Sequence, residues 1–414
     1  MPGEAVKVTL VVLVAATCTT LCAAQANTCF PGEQNTRSTS ITRSVESFGL
    51  SLFTFLASSS PQQSIFVSPY SLWSALALAY FGAEGNTKKE LEQALGVNSK
   101  TGTFFGYGAL KLLLETNPSG SPGTNFRSSN KAYFANWLVL DRCLSTIITD
   151  GLKQVDFRDA ESARQLINHD VNITTEGRIP NLIQDLPPST RFALINAVFF
   201  KGLWETAFQP KLTRRQEFLV PPGQSPGVVK MMVQEGTFKH GVSESLGAEV
   251  LELPYLNSNF SMFLFVPTAF STESILKNLT PQTFIETYKL MTPKKVEVGL
   301  PRFKMETRLE KELIALLYRM GVRDLFDESK ANLTDFTRSA TLFVDTIIHQ
   351  ATVEVTEEGT VAAAATALIN TRFGGPEPIK FMCNRPFVYT ITDKASAITL
   401  FAGHVVNSAH LKNI

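Results

Sequence analysis

EVTEEGTVAAAATALINTRFGGPEPIKF, residues 354–381, combines features that one interior element rarely holds together. Glu354, Val355, Glu357 and Glu358 lead through Gly359 into small residues from Thr360 to Ala367. Arg372 and Phe373 follow, then Gly374, Gly375, Pro376 and Pro378, whose backbone preferences belong to a loop. Alanine loses almost no side-chain entropy on ordering and fits either face of a sheet. The run can therefore be an exposed loop in one state and a buried strand in another. Ala362 to Ala367 also has strong helix propensity, so an ordinary helix end is the competing reading of these residues taken alone.

Around this stretch lie 414 residues, 44% of them hydrophobic, ample for a large core. Length alone suggests two or three domains, but no Gly/Ser, Pro or charge run divides the chain, which leaves a single large domain open. With 38 Lys+Arg against 37 Asp+Glu, nothing in the charge balance points to nucleic acid or to an anionic membrane. Lys7, the apolar run Val8 to Ala16 and the small residues up to Ala26 read as a secretory signal over residues 1–24, cleaved after Ala24 or Ala26. A short membrane anchor is the alternative there, and no later apolar run is long enough to span a bilayer. Removal of the signal takes Cys18 and Cys22 with it. Cys29, Cys143 and Cys383 remain, an odd number without metal-ligand spacing, so at most one disulfide is expected, with no metal and no cofactor. Asn-x-Ser/Thr sequons at Asn172, Asn259, Asn278 and Asn332 suit a secreted, glycosylated surface.

Taken in order, Val45, Phe48, Leu52, Phe55 and Leu56 share a helical face over Ser44 to Ala57. Ile65 to Val67 is a short strand, and Ser68-Pro69 opens a helix apolar on most sides, ended by Gly82 and Gly85 and followed by a polar helix. Helical character returns at Leu110 to Leu114, before a connection from Asn117 to Asn125. Ala132 to Trp137 is strand-like. Ala160 to Thr175, with Leu166, Ile167 and Val171, reads as a surface helix stopped by Gly177 and Pro180. FALINAVFF, 192–200, is a central strand covered on both faces. Leu251 to Val266 is a hairpin broken at Asn257-Ser258-Asn259, and Val296, Val298 and Leu300 alternate into Pro301. A helix from Thr307 to Met320, closed by Gly321, precedes apolar runs at Leu342 to Ile348, PFVYTIT and AITLFAGHVV. Helices mixed with mostly antiparallel strands make an α+β arrangement.

These segments resemble, in order, the motifs of the serpins, the serine protease inhibitor family, over roughly Val45 to Val406. The resemblance is carried by SPYSLWSALALAYFGAEGNT, TTEGRIPNLI, INAVFFKGLWETAF, VLELPYLNSNFSMFLFVP, VEVGLPRFKMETRLEKELIALLYRMGVRDLF and HQATVEVTEEGT. It implies one domain over residues 40–414 with three β-sheets and about nine helices. A reactive loop, about residues 358–378, would project from a central five-stranded sheet. A serine endopeptidase attacks such a loop as substrate and forms an acyl-enzyme. The cut loop then enters the sheet as a new strand, and the protease is trapped covalently and irreversibly.

The resemblance implies a hinge at Glu357, Glu358, Gly359, Thr360, Val361, Ala362, Ala363, Ala364, Ala365 and Thr366. With a period of two, Thr360, Ala362, Ala364 and Thr366 would face one side of the sheet. None of the inserting residues is charged and none is proline, either of which would hinder insertion by a few kcal/mol. Val361 stands where many relatives carry Glu. Counting fourteen residues beyond Gly359 places the reactive bond at Phe373-Gly374, suiting a chymotrypsin-like enzyme; a loop one residue shorter presents Arg372-Phe373 to a trypsin-like one. Ser68, Ser71, Asn196 and His349 match family positions beneath the opening sheet, and Trp204 the top of the opening. Gln350 replaces the usual Lys, Gly403-His404 the usual Gly-Arg, and Cys383 the usual Ala. Lys100 and Lys111 are the basic residues near the expected helix D, so heparin activation is not expected. The expected protein is a secreted, extracellular monomer. An enzyme is disfavoured, because no Gly-x-Ser-x-Gly elbow, Walker loop or His-Glu-x-x-His is present and the five histidines are scattered. The alternative function is a non-inhibitory carrier or storage serpin, which a disrupted hinge would mark; this hinge is intact.

Overall fold

A computed structural model describes residues 29–30, 40–115, 123–148, 150–220, 226–358 and 377–411. The expected signal, the expected hinge residues Gly359, Thr360, Val361, Ala362, Ala363, Ala364, Ala365 and Thr366, and the bond candidates Arg372, Phe373 and Gly374 lie outside them. Nine α-helices and fourteen strands occur among the described residues.

The central sheet has five strands, in the order β10 (Phe303–Leu309), β11 (Thr346–Val355), β4 (Phe192–Gly202), β2 (Thr124–Ala135) and β3 (Leu152–Val155). β11 and β4 run parallel and pair directly, from Thr346 opposite Ala193 to Val353 opposite Phe200. β4 and β2 are antiparallel. β4 is buried along nearly its whole length, as its apolar run, interrupted only by Asn196, requires.

The other strands form a continuous path that one long strand, β6 (Gly227–Ser243), divides into two sheets. Its first half pairs with β5 (Arg214–Phe218), and its middle with β9 (Thr292–Pro301), which holds β12 (Ile379–Met382). Its end, from His240 on, pairs with β7 (Ala248–Pro254), followed by β8 (Phe260–Pro267), β13 (Phe387–Asp393), β14 (Ile398–Val405) and β1 (Ile65–Val67). Three sheets and nine helices agree with the α+β expectation.

Helices α1 (Ile41–Ser59) and α2 (Pro69–Gly82) pack against β14, and α2 also lies beneath β2 and β4. Every residue of α2 is buried. Its start is fixed locally: Pro69 needs no amide partner at the first helical position, and the Ser68 hydroxyl accepts from the Ser71 amide. Phe401 of β14 joins the sheets, with its ring 5.7 Å from both Phe126 of β2 and Phe200 of β4 and stacked at 5.2 Å on Phe66 of β1. Among the described residues one disulfide is made, Cys29 to Cys143, with a sequence separation of 114. Such a crosslink can restrict the unfolded chain by roughly 4–5 kcal/mol in the chain-entropy account. Cys383 is free and buried, and burial pushes its thiol well above the usual range, so it is an inert core residue.

Several local expectations are corrected. The helix expected from Thr307 starts at Lys311, because Thr307 to Leu309 complete β10 and pair with Ala351 to His349; it ends at Arg319 as α9 (Lys311–Arg319), with Gly321 at φ 95°. The strand expected at Ala132 begins at Thr124 and ends at Ala135, leaving Trp137 exposed. Phe55 is not on the buried face of α1 but exposed beneath the Arg319 guanidinium, and Leu166 lies on the outer face of α6 (Ala160–Thr174). Leu342 to Asp345 precede β11 rather than belonging to it.

Candidate functional site: the seam and the hinge anchor

The Ser68-Pro69 start of α2 brings two hydroxyls under the line where β4 meets β11. In the middle of that seam Asn196 stands opposite His349. Both are fully buried. His349 Nδ1–H donates to Asn196 Oδ1, while His349 Nε2 accepts from the Ser68 amide at 3.3 Å. Asn196 Nδ2 donates to the Ser71 carbonyl at 3.0 Å and also reaches the Ser71 hydroxyl and Asn130 Oδ1. Ser71 Oγ lies 2.9 Å from Asn130 Oδ1 and 3.0 Å from Ser128 Oγ, and Ser68 Oγ donates to the Leu400 carbonyl at 2.6 Å. The network thus ties β11, β4, β2, α2 and β14 together. Burial holds the His349 imidazole down at about 3, so it is neutral, with its proton on Nδ1. A second proton on Nε2 would face the Ser68 N–H, donor against donor.

Sequence reasoning places Ser68, Ser71, Asn196 and His349 together, and the structure joins all four. It misses Ser128 and Asn130. The available signal was their period-two spacing in SSNKAYFA, which puts both on the face of β2 that looks at α2.

Trp204 lies beyond the upper end of the seam. Its indole stacks on Tyr255 at 4.6 Å, and its Nε1–H donates to the Thr356 carbonyl at 2.9 Å. Thr356 is the first residue after β11, so this bond holds the chain where it leaves the sheet. Glu357 is buried and held from three sides: its carbonyl accepts from the Phe208 amide at 2.9 Å, and its carboxylate takes the Thr213 hydroxyl at 2.8 Å and Arg302 at 3.5 Å. Glu358 is exposed. Glu357 is therefore the buried member of the acidic pair and Glu358 the exposed one.

Of the sequons, Asn259 is exposed in the turn between β7 and β8; Asn172, Asn278 and Asn332 are half-buried, and the Asn278 amide donates to the Ser245 carbonyl at 2.9 Å.

A family model described as serpin (serine protease inhibitor) matches residues 43–408. Serine protease inhibitor 88Ea of Drosophila melanogaster is 36% identical over 382 residues, covering 86% of this chain and 88% of its own. Leukocyte elastase inhibitor of Homo sapiens is 35% identical over 371 residues, covering 86% and 96%. A solved structure of native protease nexin-1 with heparin superimposes with a TM-score of 0.78 at 28% identity, over 88% of this chain and 98% of that one. With the five-stranded sheet, these matches show that the chain belongs to the serpin (serine protease inhibitor) family.

Proposed function

We propose that the protein is a secreted, single-use inhibitor of serine endopeptidases that traps its target by adding its own cut loop to the central sheet. The observation that carries this reading is the β4–β11 seam together with where the chain leaves it. Two parallel neighbours accept, between them, a strand antiparallel to both. The segment after β11 is connected so as to supply it, since a chain that turns at Thr356 to Glu358 and runs back is antiparallel to β11 and hence to β4. Parallel pairing is slightly the less stable kind, so replacing one parallel pair by two antiparallel pairs favours insertion. Phe373 lies fourteen positions beyond Gly359, and at about 3.3 Å per residue insertion would carry an acyl group on Phe373 roughly 45 Å along the sheet.

In this reading Glu357, held by Phe208, Thr213 and Arg302, is the fixed end about which Glu358 to Thr366 swing. Ser68, Ser71, Asn196 and His349 form the latch that keeps the seam closed, and Trp204 holds its upper end. Phe373-Gly374 is the reactive bond, with Arg372-Phe373 as the alternative. The target is extracellular, and the inhibitor acts as a monomer with neither cofactor nor metal. Asn259 is the sequon best placed for a glycan. The family includes intracellular as well as secreted members, so secretion rests on Lys7 and the apolar run that follows it.

Little heparin acceleration is expected. In α4 (Lys100–Glu115) Lys100 is buried against Glu84 at 2.8 Å and Asp335 at 2.6 Å, and Lys111 pairs with Asp150 at 3.5 Å.

The test is to incubate the mature protein with chymotrypsin and, separately, trypsin, then combine denaturing gels with mass spectrometry of the released carboxyl-terminal peptide. A stable covalent complex with a peptide beginning at Gly374 is the expected result; a peptide beginning at Phe373 would move the reactive residue to Arg372. Cleavage without a complex across a wider panel of serine proteases would overturn the inhibitor reading in favour of a carrier or storage role.

A further inference from the structure

The segment that follows α6 crosses the outer face of the central sheet and is tied to one strand after another. Glu176 accepts from Asn125 Nδ2 at 2.9 Å and from Arg127 Nε at 3.0 Å, both on β2. The Arg178 guanidinium lies over the Phe199 ring of β4, 5.2 Å from its centroid, and its Nη1 is 3.7 Å from Glu354 Oε2 on β11. The Leu182 carbonyl accepts from Arg308 Nε on β10 at 3.3 Å. Of these side chains, Arg178 touches both sides of the seam.

Its position follows from how α6 ends. Glu176 and Gly177 have φ of 52° and 79°, the left-handed conformation that reverses a chain at a helix terminus and that glycine adopts without strain. The Gly177 amide donates back to the Asn172 carbonyl at 2.8 Å, and the Thr175 hydroxyl accepts from the Ile179 amide at 3.1 Å. Arg178 is held between these two bonds and faces the sheet.

Neighbouring strands lie about 4.8 Å apart, so a strand added between β4 and β11 moves Glu354 away from Phe199 by about that distance. Arg178 cannot then keep both the ring and the carboxylate. Glu354 is also the penultimate residue of β11, at the end where an added strand would begin. The contact therefore opposes the first step of opening rather than the last.

We propose that Arg178, bridging Phe199 and Glu354, is a clasp that sets the rate of strand addition at the β4–β11 seam. This rests on the inhibitor reading above and adds its regulation: a slow clasp gives hydrolysis time to release the protease, and a fast one lets insertion win. An exposed cation–ring contact with an exposed ion pair is modest and salt-screened, so the effect is on rate and not on fold.

The experiment anneals a synthetic peptide with the sequence of residues 360–371, TVAAAATALINT, to the full chain and follows uptake by native gel and thermal upshift. Arg178→Ala is expected to speed uptake about three- to tenfold. Glu354→Gln, which keeps the ring contact, should speed it about two- to threefold and remove the rise of the rate with salt; Arg178→Lys should stay within about twofold of the parent. Unchanged uptake in both Arg178→Ala and Glu354→Gln would overturn the clasp, as would no uptake by any variant. If Arg178→Ala fails to fold, the near-isosteric surface exchange Glu354→Gln decides alone. Unchanged peptide rates in a chain that forms protease complexes overturn the clasp only. Accelerated peptide rates in a chain that forms no complex support the clasp and overturn the inhibitor reading.

Discussion

β4 has two neighbours and meets them differently. Toward β2 it pairs antiparallel from Gly202 opposite Thr124 to Phe192 opposite Phe134, and the rings of Phe134 and Phe192 stack at 4.4 Å with Phe336 edge-on to both. Toward β11 it pairs parallel, with small or polar pairs, Ala193 with Thr346, Asn196 with His349 and Ala197 with Gln350, set among apolar ones, Leu194 with Ile347, Ile195 with Ile348 and Phe200 with Val353. Stacked rings lose their contacts outright when separated, whereas a hydrogen-bonded pair can exchange partners. One strand thus has a side built to stay and a side able to part. The difference lies in the ring stack that ends the β2 junction, the Asn196–His349 pair in the middle of the β11 junction and the direction of pairing.

Phe134→Ala should have the largest effect, about 3–5 kcal/mol off unfolding stability from the cavity left beside Phe192 and Phe336. Its mark on the comparison is that chemical unfolding shifts while peptide annealing at the seam barely changes. His349→Ala should reverse that pattern. It strands Asn196 Oδ1 and the Ser68 amide in a buried site, at about 1–3 kcal/mol each where no rearrangement relieves them. The expected result is faster peptide uptake and polymerisation on warming. Unchanged inhibition and unchanged polymerisation would show that the polar cluster is ordinary core and not a latch.

The legibility of the two sides differs for the same reason. The largely apolar run of β4 announces a doubly covered strand from composition alone, and the Ser68-Pro69 helix start is visible as capping chemistry. The seam is not legible that way. Asn196 and His349 are far apart in sequence and acquire meaning only through register, so the family resemblance, not periodicity, picks them out; Ser128 and Asn130 carry no such flag. Thr307 to Leu309 read as the start of a helix because their local propensity is outweighed by pairing with β11, a tertiary effect. Arg178 was visible only as part of the motif TTEGRIPNLI. Its reach to Glu354 depends on how the left-handed Glu176 and Gly177 turn the chain.

Acid sharpens the comparison further. His349 sits at about 3 and His404, buried against Thr272 at 2.7 Å, at about 4, both below the ordinary 6.5. Their contributions are complete above pH 6.5 and are lost as the pH falls, because the unfolded chain takes the proton first. Glu46 has the opposite sign. Burial raises its carboxyl to about 7, against the hydrogen bonds from Thr399, so its contribution is complete below pH 4.5 and lost as the pH rises through 7. Between pH 6.5 and 4.5 the two histidines act against Glu46, and stability should fall on acidification. Denaturant titrations across that range check the slope. His349→Gln should flatten it, and a slope unchanged in that variant would place the acid sensitivity away from the seam.

Trp204→Phe should have the smallest effect and bears on where the separable side ends. The substitution removes the indole donor to the Thr356 carbonyl and retains an aromatic ring against Tyr255. One part-buried hydrogen bond is worth about 1 kcal/mol, or about fivefold in a rate that depends on breaking it. If the hinge is pinned there, peptide uptake should quicken by about that factor while the unfolding midpoint scarcely moves, since water can reach the freed carbonyl. A shift in the midpoint with no change in uptake would assign Trp204 to the permanent side, with Tyr255 and Phe208. The part of the sheet that opens would then stop at Val355, short of the anchor at Glu357.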